Sequence, residues 1–253
     1  MKGFGDLSGR RIVYTGAAGG LGHRTTLALM EAGAEVFSID RDHSKNESLR
    51  ADVPQQLSKR LTLIELDLTD TQALRATLRD ILVQAPVDVL INNAAIYPSM
   101  PFEDYSLEQQ RDVQAVNVDA ALVCAAEVLP AMREQGWGRI INVTSITLTG
   151  GWENLSPYVQ SKGALLGLTR AWAREFGKWG ITVNAIAPGA FPTDAEKIHP
   201  DPEGYERFVL DHQSIKRRGD PSDIAAIIQF LASKDAGFIT GQNIAVDGGW
   251  SMS

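Results

Sequence analysis

Short aliphatic and β-branched runs recur along this 253-residue chain, each followed by a stretch with helical spacing. Residues 11–15, 34–40, 61–66, 87–91, 138–144, 181–186 and 243–246 read as seven strands. Most are continuous apolar runs, not alternating ones, which is the pattern of strands buried on both faces. Helices are expected over 21–32, 46–59, 71–84, 106–134, 157–177 and 221–232. Pro54 argues against continuity in the second of these. Gly33 is placed as the residue that ends the first, Ser106 with Gln109 as a capping pair, and Pro221 as a first-turn proline. Residues 190–219 are polar, contain prolines and read as irregular. Strand–helix alternation over the whole length implies a doubly wound α/β fold, a parallel sheet with helices on both faces. With no linker, composition break or internal repeat, 1–253 is read as one domain.

Composition narrows the function. The chain is 44% hydrophobic and 22% charged, with a formal net charge of −7. An acidic balance argues against nucleic acid and anionic membrane as main partners, since both need a basic footprint. The single cysteine, Cys124, has no intramolecular partner and falls in an apolar helical pattern, so it reads as a packing residue. The first residues carry no apolar signal core, and no run of about 18 apolar residues is present. A reducing, cytoplasmic setting is expected, and no metal-ligand set is called for.

In an open parallel sheet, ligands bind outside the carboxyl ends of the strands. After the first strand comes Thr15-Gly16-Ala-Ala-Gly-Gly20-Leu21-Gly22. Glycines there let the backbone approach a pyrophosphate, and the helix N-terminus that follows offers free N–H groups and a positive dipole end. A plain tight turn is the alternative for the glycines alone. No Gly-Lys-Ser/Thr ending follows, so this is not a nucleoside-triphosphate loop. Asp40 ends the second strand, where a carboxylate accepts from ribose hydroxyls and repels a 2′-phosphate. That favours NAD over NADP, although Arg41 next to it is a residue type that binds a 2′-phosphate. Tyr158 and Lys162 are four apart and share a helix face. A phenol beside an ammonium is a candidate acid/base pair, and the cation is expected to lower the phenol's pKa from its ordinary value of about 10.

Taken together and in order, these motifs resemble those of the short-chain dehydrogenase/reductase family over essentially the whole chain. Thr15, Gly16, Gly20 and Gly22 match its Thr-Gly-x-x-x-Gly-x-Gly loop. Asp67 with Leu68 matches its third-strand position near the adenine. Asn92-Asn93-Ala94, Asn117, Ser145, Tyr158-x-x-x-Lys162, Pro188-Gly189 with Thr193, and Thr240-Gly241 through Asp247-Gly248-Gly249 match in sequence order. The departure is His23, where the family usually has an aliphatic residue. The resemblance implies a Rossmann-type fold with a seven-stranded parallel sheet and an NAD-dependent oxidoreductase. Tyr158 would be the general acid/base and Ser145 would orient the reacting oxygen. Lys162 would lower the Tyr158 pKa and hold the nicotinamide ribose, and Asn117 would hold a water of a proton relay. Gly16, Gly20, Leu21, Gly22, Asp40, Arg41, Asp67, Leu68, Asn93, Ala94, Tyr158, Lys162, Pro188, Phe191 and Thr193 would bind the cofactor.

Substrate contacts are expected from two segments. The first follows Ser145 and holds Thr147, Trp152, Glu153 and Asn154; with Ser145 and Tyr158, the residues Thr147, Trp152 and Asn154 form the expected substrate set. The second spans about 190–215 and holds Asp194, Glu196, Lys197, His199, Arg207, His212 and Gln213, a loop suited to closing over bound cofactor. This polar inventory points to a small polar alcohol or carbonyl such as a sugar, sugar acid or polyol. A 3-oxoacyl thioester reductase shares every motif, and a cofactor-sensing or scaffold protein is the non-enzyme alternative. Ala125, Ala126, Leu165, Leu166, Trp172 and Phe176 exceed what one sheet face needs and are read as part of a subunit interface, with a homotetramer expected.

Overall fold

Seven strands form one sheet in which every neighbouring pair is parallel. In the computed structural model, which describes residues 3–194, 196 and 201–252, they are β1 (Arg11–Thr15), β2 (Glu35–Asp40), β3 (Leu61–Glu65), β4 (Val89–Asn92), β5 (Gly138–Val143), β6 (Ile181–Pro188) and β7 (Asn243–Val246). Their order is β3-β2-β1-β4-β5-β6-β7. Successive side chains on a strand point to opposite faces. Val13, Phe37, Leu90, Ile140 and Val183 therefore enter one core, while Ile12, Tyr14, Val36, Ile91 and Ile141 enter the other. The continuous apolar runs are explained by two cores sharing one sheet.

Helices α3 (Thr71–Gln84), α5 (Ala120–Gln135) and α7 (Ser156–Phe176) cover the first core. Helices α1 (Gly22–Glu31) and α9 (Pro221–Ala232) cover the second. The chain winds from β1 outward to β3, then returns so that β4 lies on the other side of β1. That reversal opens a crevice at the carboxyl ends of β1 and β4, where this class of sheet binds ligands.

Three segments differ from the sequence expectation. The helix read over 46–59 is two pieces, α2 (His43–Asp52) and a 3₁₀ turn, Gln55–Arg60. Val53 between them is extended, as the residue before a proline prefers. The expected helix 106–134 starts at the Ser106/Gln109 capping box, and α4 (Leu107–Gln114) joins α5 through a π-helical turn, Ala115–Asp119. The stretch read as irregular contains α8 (Pro202–His212), whose first turn is capped by Asp201 accepting from Gly204 N at 2.9 Å. A single turn, α6 (Thr147–Gly150), also follows β5.

The combined rod Leu107–Gln135 is long and apolar enough to cross a membrane by composition alone, with half of its apolar window buried. It packs against α3, α7 and the sheet, so it is a core helix of this fold. Three residues read as interface surplus, Ala125, Leu165 and Phe176, are consumed by the protomer's own interior. Ala126 is exposed, and Leu166 and Trp172 are half-buried.

Candidate active site

The two strand ends beside the crevice are stapled together by Thr15 and Asn93. Thr15 Oγ1 accepts from Asn93 N at 3.1 Å and Ala94 N at 3.3 Å, and Asn93 Nδ2 donates to the carbonyls of Thr15 and Gly16. Gly16 has φ +67°, and a Cβ there would sit 2.8 Å from Ala94 Cα, so only glycine closes this corner. At Gly20 a Cβ would meet Thr193 at 2.7 Å, which brings the loop against the chain leaving β6. Helix α1 begins with no side-chain cap and no acidic residue in its first turn. His23 N in that turn donates to the Gly19 carbonyl at 2.8 Å, and the positive dipole end of the helix is left facing an anion. A glycine cradle next to an uncapped helix start fits a dinucleotide pyrophosphate.

At the end of β2, Asp40 Oδ1 accepts from Asp42 N at 3.1 Å, and Asp42 in turn caps α2. Asp67, after β3, is held by the main chain and hydroxyl of Thr69, which keeps its carboxyl below the usual range. Arg41 reaches toward Asp67 at 3.9 Å. Lys45 bridges from α2 to Asp194 at 3.7 Å, spanning the crevice mouth. His23 Nε2 lies 3.0 Å from Asp52 Oδ2 at the end of α2, and the residue that departs from the family pattern does not line the cavity.

Ser145, Tyr158 and Lys162 converge where β5 ends. Ser145 Oγ accepts from Thr147 N at 3.1 Å, and its hydroxyl neighbours the Tyr158 phenol, favouring the charged form of that phenol. Lys162 is 2% exposed, donates from Nζ to the Val143 carbonyl at 2.7 Å and lies 5.3 Å from the Tyr158 ring centroid. Burial lifts the Tyr158 phenol to about 12, against the downward pull of the neighbouring Ser145 hydroxyl, and burial drops the Lys162 ammonium to about 7. This reverses the expected direction for Tyr158. Desolvation penalises the charged form of both groups and outweighs their mutual attraction. Tyr97 adds a second phenol, edge-on to Tyr158 at 6.1 Å.

Asn117 sits in the π turn, 2% exposed. Its Oδ1 accepts from Ile96 N at 2.8 Å, and its Nδ2 donates to the Ile96 carbonyl and to Ser161 Oγ. Both amide protons are spent on protein, so the side chain clamps the chain leaving β4 to α7 instead of presenting donors to a water. Ser161 Oγ donates onward to the Tyr158 carbonyl at 2.7 Å. Beneath it a buried row, Asn92 to Asn142 to Thr169, ties β4 and β5 to the same helix. Neither Asn142 nor Thr169 stands out in the sequence, because polar residues inside an apolar run carry no motif.

One cavity of about 640 Å³ runs from the glycine loop to Tyr158, within the range of small-ligand sites. Gly16, Gly20, Leu21, Asp40, Arg41, Asp67, Leu68, Asn93, Ala94, Pro188, Phe191 and Thr193 line it, as do Ser145, Thr147, Trp152, Tyr158 and Lys162. Gly22 lies just behind, in the first turn of α1. Asn154 does not reach the cavity. It lines a neighbouring surface groove with Glu153, has φ +63°, and offers its carbonyl to Tyr105 Oη at 2.9 Å. Asp194 and Glu196 line the cavity; Arg207, His212 and Gln213 do not. Lys197 and His199 lie outside the described residues.

The end beyond Tyr158 is less polar than expected, walled by Tyr97, Ile146, Trp152, Leu155 and Tyr205. Sequence reasoning missed Tyr97 and Tyr205. The first lies three residues after the Asn92-Asn93-Ala94 motif, which was the available signal; the second is brought in by α8.

The family model described as Enoyl-(Acyl carrier protein) reductase matches residues 16–251. A 2-keto-3-deoxy-L-fuconate dehydrogenase of Xanthomonas campestris pv. campestris is 34% identical over 97% of this chain and 81% of its own length. A galactitol 2-dehydrogenase (L-tagatose-forming) of Cereibacter sphaeroides is 34% identical over 97% of this chain and 96% of its own. A solved structure from Beutenbergia cavernae, described as a candidate NAD(P) dependent gluconate 5-dehydrogenase with NADP bound at low occupancy, superposes with a TM-score of 0.89. It is 33% identical and covers 98% of this chain and 99% of its own.

Proposed function

The chain belongs to the short-chain dehydrogenase/reductase family of oxidoreductases, and from that premise we propose that it interconverts a secondary alcohol or lactol and a carbonyl on a small polyhydroxylated substrate, with NAD preferred. The observation that carries the reading is the meeting of Ser145, Tyr158 and Lys162 on the wall of the cavity that starts at the glycine loop. The nicotinamide, when bound, supplies the hydride acceptor or donor.

Tyr158 moves the proton at the substrate oxygen. Kept neutral by burial, it is poised to donate toward a carbonyl, and in the other direction its phenolate forms beside the Lys162 ammonium. Ser145 Oγ, fixed by Thr147 N, orients the same oxygen. Lys162, anchored on Val143 O, carries positive charge to the pair when protonated. Asn117 and Ser161 hold the helix that presents both. The glycine loop, Asp67, Leu68, Asn93 and Thr193 would hold the dinucleotide. Asp40 supports NAD because a carboxylate repels a 2′-phosphate. Arg41 and Lys45 line the same end, and a relative carries NADP, so the preference is one of degree.

The sugar, sugar-acid or polyol class is supported by the relatives' substrates and by aromatic walls beside hydrogen-bonding groups at the substrate end. A second reading, reduction of a 3-oxoacyl thioester, is favoured by Ile146 and Leu155 in that wall. A panel of aldoses, polyols, aldonates and an acetoacetyl thioester, each with NAD(H) and NADP(H), separates the two through absorbance of the reduced nicotinamide. Turnover of a polyhydroxylated member well above the thioester supports the reading; the reverse order sinks it.

A homotetramer in a cytoplasmic setting completes the proposal. Leu107 and Leu122 on the α4–α5 rod and the fully exposed Phe238 support burial between copies. Cys124 is buried with its thiol pushed up to about 12, which suits a packing role. Solution scattering reads the assembly directly, and a monomer at working concentration refutes it.

A further inference from the structure

Asp247, 5% exposed, follows β7 and spends its whole carboxylate on the next turn. Oδ1 accepts from Gly249 N at 2.9 Å and Trp250 N at 3.3 Å; Oδ2 accepts from Ser251 N at 2.8 Å and Ser251 Oγ at 2.5 Å. Gly248 and Gly249 both have positive φ, +66° and +77°, which a turn this tight requires. The product of the turn is the position of the Trp250 ring. It lies 5.6 Å from the Trp152 ring, 5.0 Å from His212 in a stacked arrangement, and 5.5 Å from Phe208 edge-on. Phe208 in turn stacks on Tyr205 at 6.3 Å.

Three separate segments thus meet on one indole: the stretch after Ser145, helix α8 and the chain after β7. Two members, Trp152 and Tyr205, line the cavity, and Trp250 itself does not. Left without Trp250, the Trp152 ring, in the short connection between α6 and α7, loses the neighbour behind it. We propose that Trp250 is a specificity-determining positioning residue: it sets Trp152, and through Phe208 the α8 wall, so that the substrate end offers an aromatic surface to the C–H face of a polyhydroxylated substrate. The substrate class in this proposal rests on the reading given above; the role of Trp250 does not.

The test compares wild type, Trp250→Ala, Trp250→Phe, Trp152→Ala and the double alanine variant as full chains. Each is assayed on whichever member of the substrate panel the wild type turns over best. Trp250→Ala is expected to raise KM by about tenfold, the scale of one lost aromatic contact, with kcat within about twofold. Trp250→Phe should recover most of the loss. In the Trp152→Ala background, removing Trp250 should add less than about twofold, because the two act as one unit. An unchanged KM, a kcat that falls as far as KM rises, or effects that multiply in the double variant would overturn the proposal. Should Trp250→Ala fail to fold, Trp250→Leu is judged by the same criteria. If the wild type turns over only the thioester, the functional reading and the C–H face fail together, while the variant ratios measured on that thioester still decide the role of Trp250.

Discussion

Lys162 Nζ donates to the carbonyl of Val143, the last residue of β5, at 2.7 Å, from a side chain that is 2% exposed. The bond joins the helix that carries the acid/base pair to the sheet end that carries Ser145. It also buries an ammonium with no carboxylate within salt-bridge distance among the described residues. Burial drops its pKa to about 7, against roughly 10.4 in an unfolded chain. Between those values the unfolded chain holds a proton that the folded one has released, so raising the pH across this window stabilises the fold.

Wild type should therefore gain stability on a Lys162→Met variant as pH rises from 7 to 10, by up to roughly 4 kcal/mol at about 1.4 kcal/mol per pKa unit. Urea unfolding at several pH values measures the difference. A gap that stays constant, or narrows in the opposite sense, would show that the ammonium is not held at a desolvation cost.

Thr15 and Asn93 make a second testable pair. Asn93→Ala removes two donors from the Thr15 and Gly16 carbonyls and should cost about 1–3 kcal/mol. Cofactor affinity should weaken with it, since the glycine loop loses its brace. Thr15→Ser keeps the accepting hydroxyl and should lose much less of both. Calorimetric melting together with titration of reduced cofactor separates the two losses.

Cofactor choice is predicted to follow Asp40. Replacement by Ser removes the carboxylate while Arg41 and Lys45 stay in the same lining. The ratio of kcat/KM with NADP to that with NAD should rise by about 10–100-fold, the scale of one relieved like-charge contact. An unchanged ratio would mean that Asp40 does not face the ribose.

Much of this fold was legible because its signals are local and repeated. Seven apolar runs gave seven strands, and the residues after them gave the crevice. Elements were misread where two signals competed. Gly204 and the polar residues around α8 hid a helix whose Asp201-Pro202 start has the same form as the Asp220-Pro221 start of α9, of which the sequence reading names only the first-turn Pro221. Pro54 marked a break, but its position alone did not give the 3₁₀ turn that follows. At the site, motif residues such as Tyr158 and Asp67 could be named, yet the clamp role of Asn117 could not, because it depends on Ile96 and Ser161 arriving from two other elements. The direction of the Tyr158 pKa was misjudged for a related reason. Spacing reports the neighbouring charge but not the depth of burial, and here burial is the larger effect. Asn154 illustrates the limit at the substrate end: Trp152 two residues earlier lines both the cavity and the neighbouring groove, while Asn154 reaches only the groove.

The central claim is that Tyr158 moves the proton at the reacting oxygen. Tyr158→Phe keeps the ring that packs edge-on against Tyr97 and deletes only the hydroxyl. Turnover of the best panel substrate should fall by about 10²–10⁴-fold, the usual contribution of a positioned acid/base group, while melting temperature and affinity for reduced cofactor stay close to wild type. Turnover within about twofold of wild type, in a folded variant that still binds the cofactor, would contradict the account.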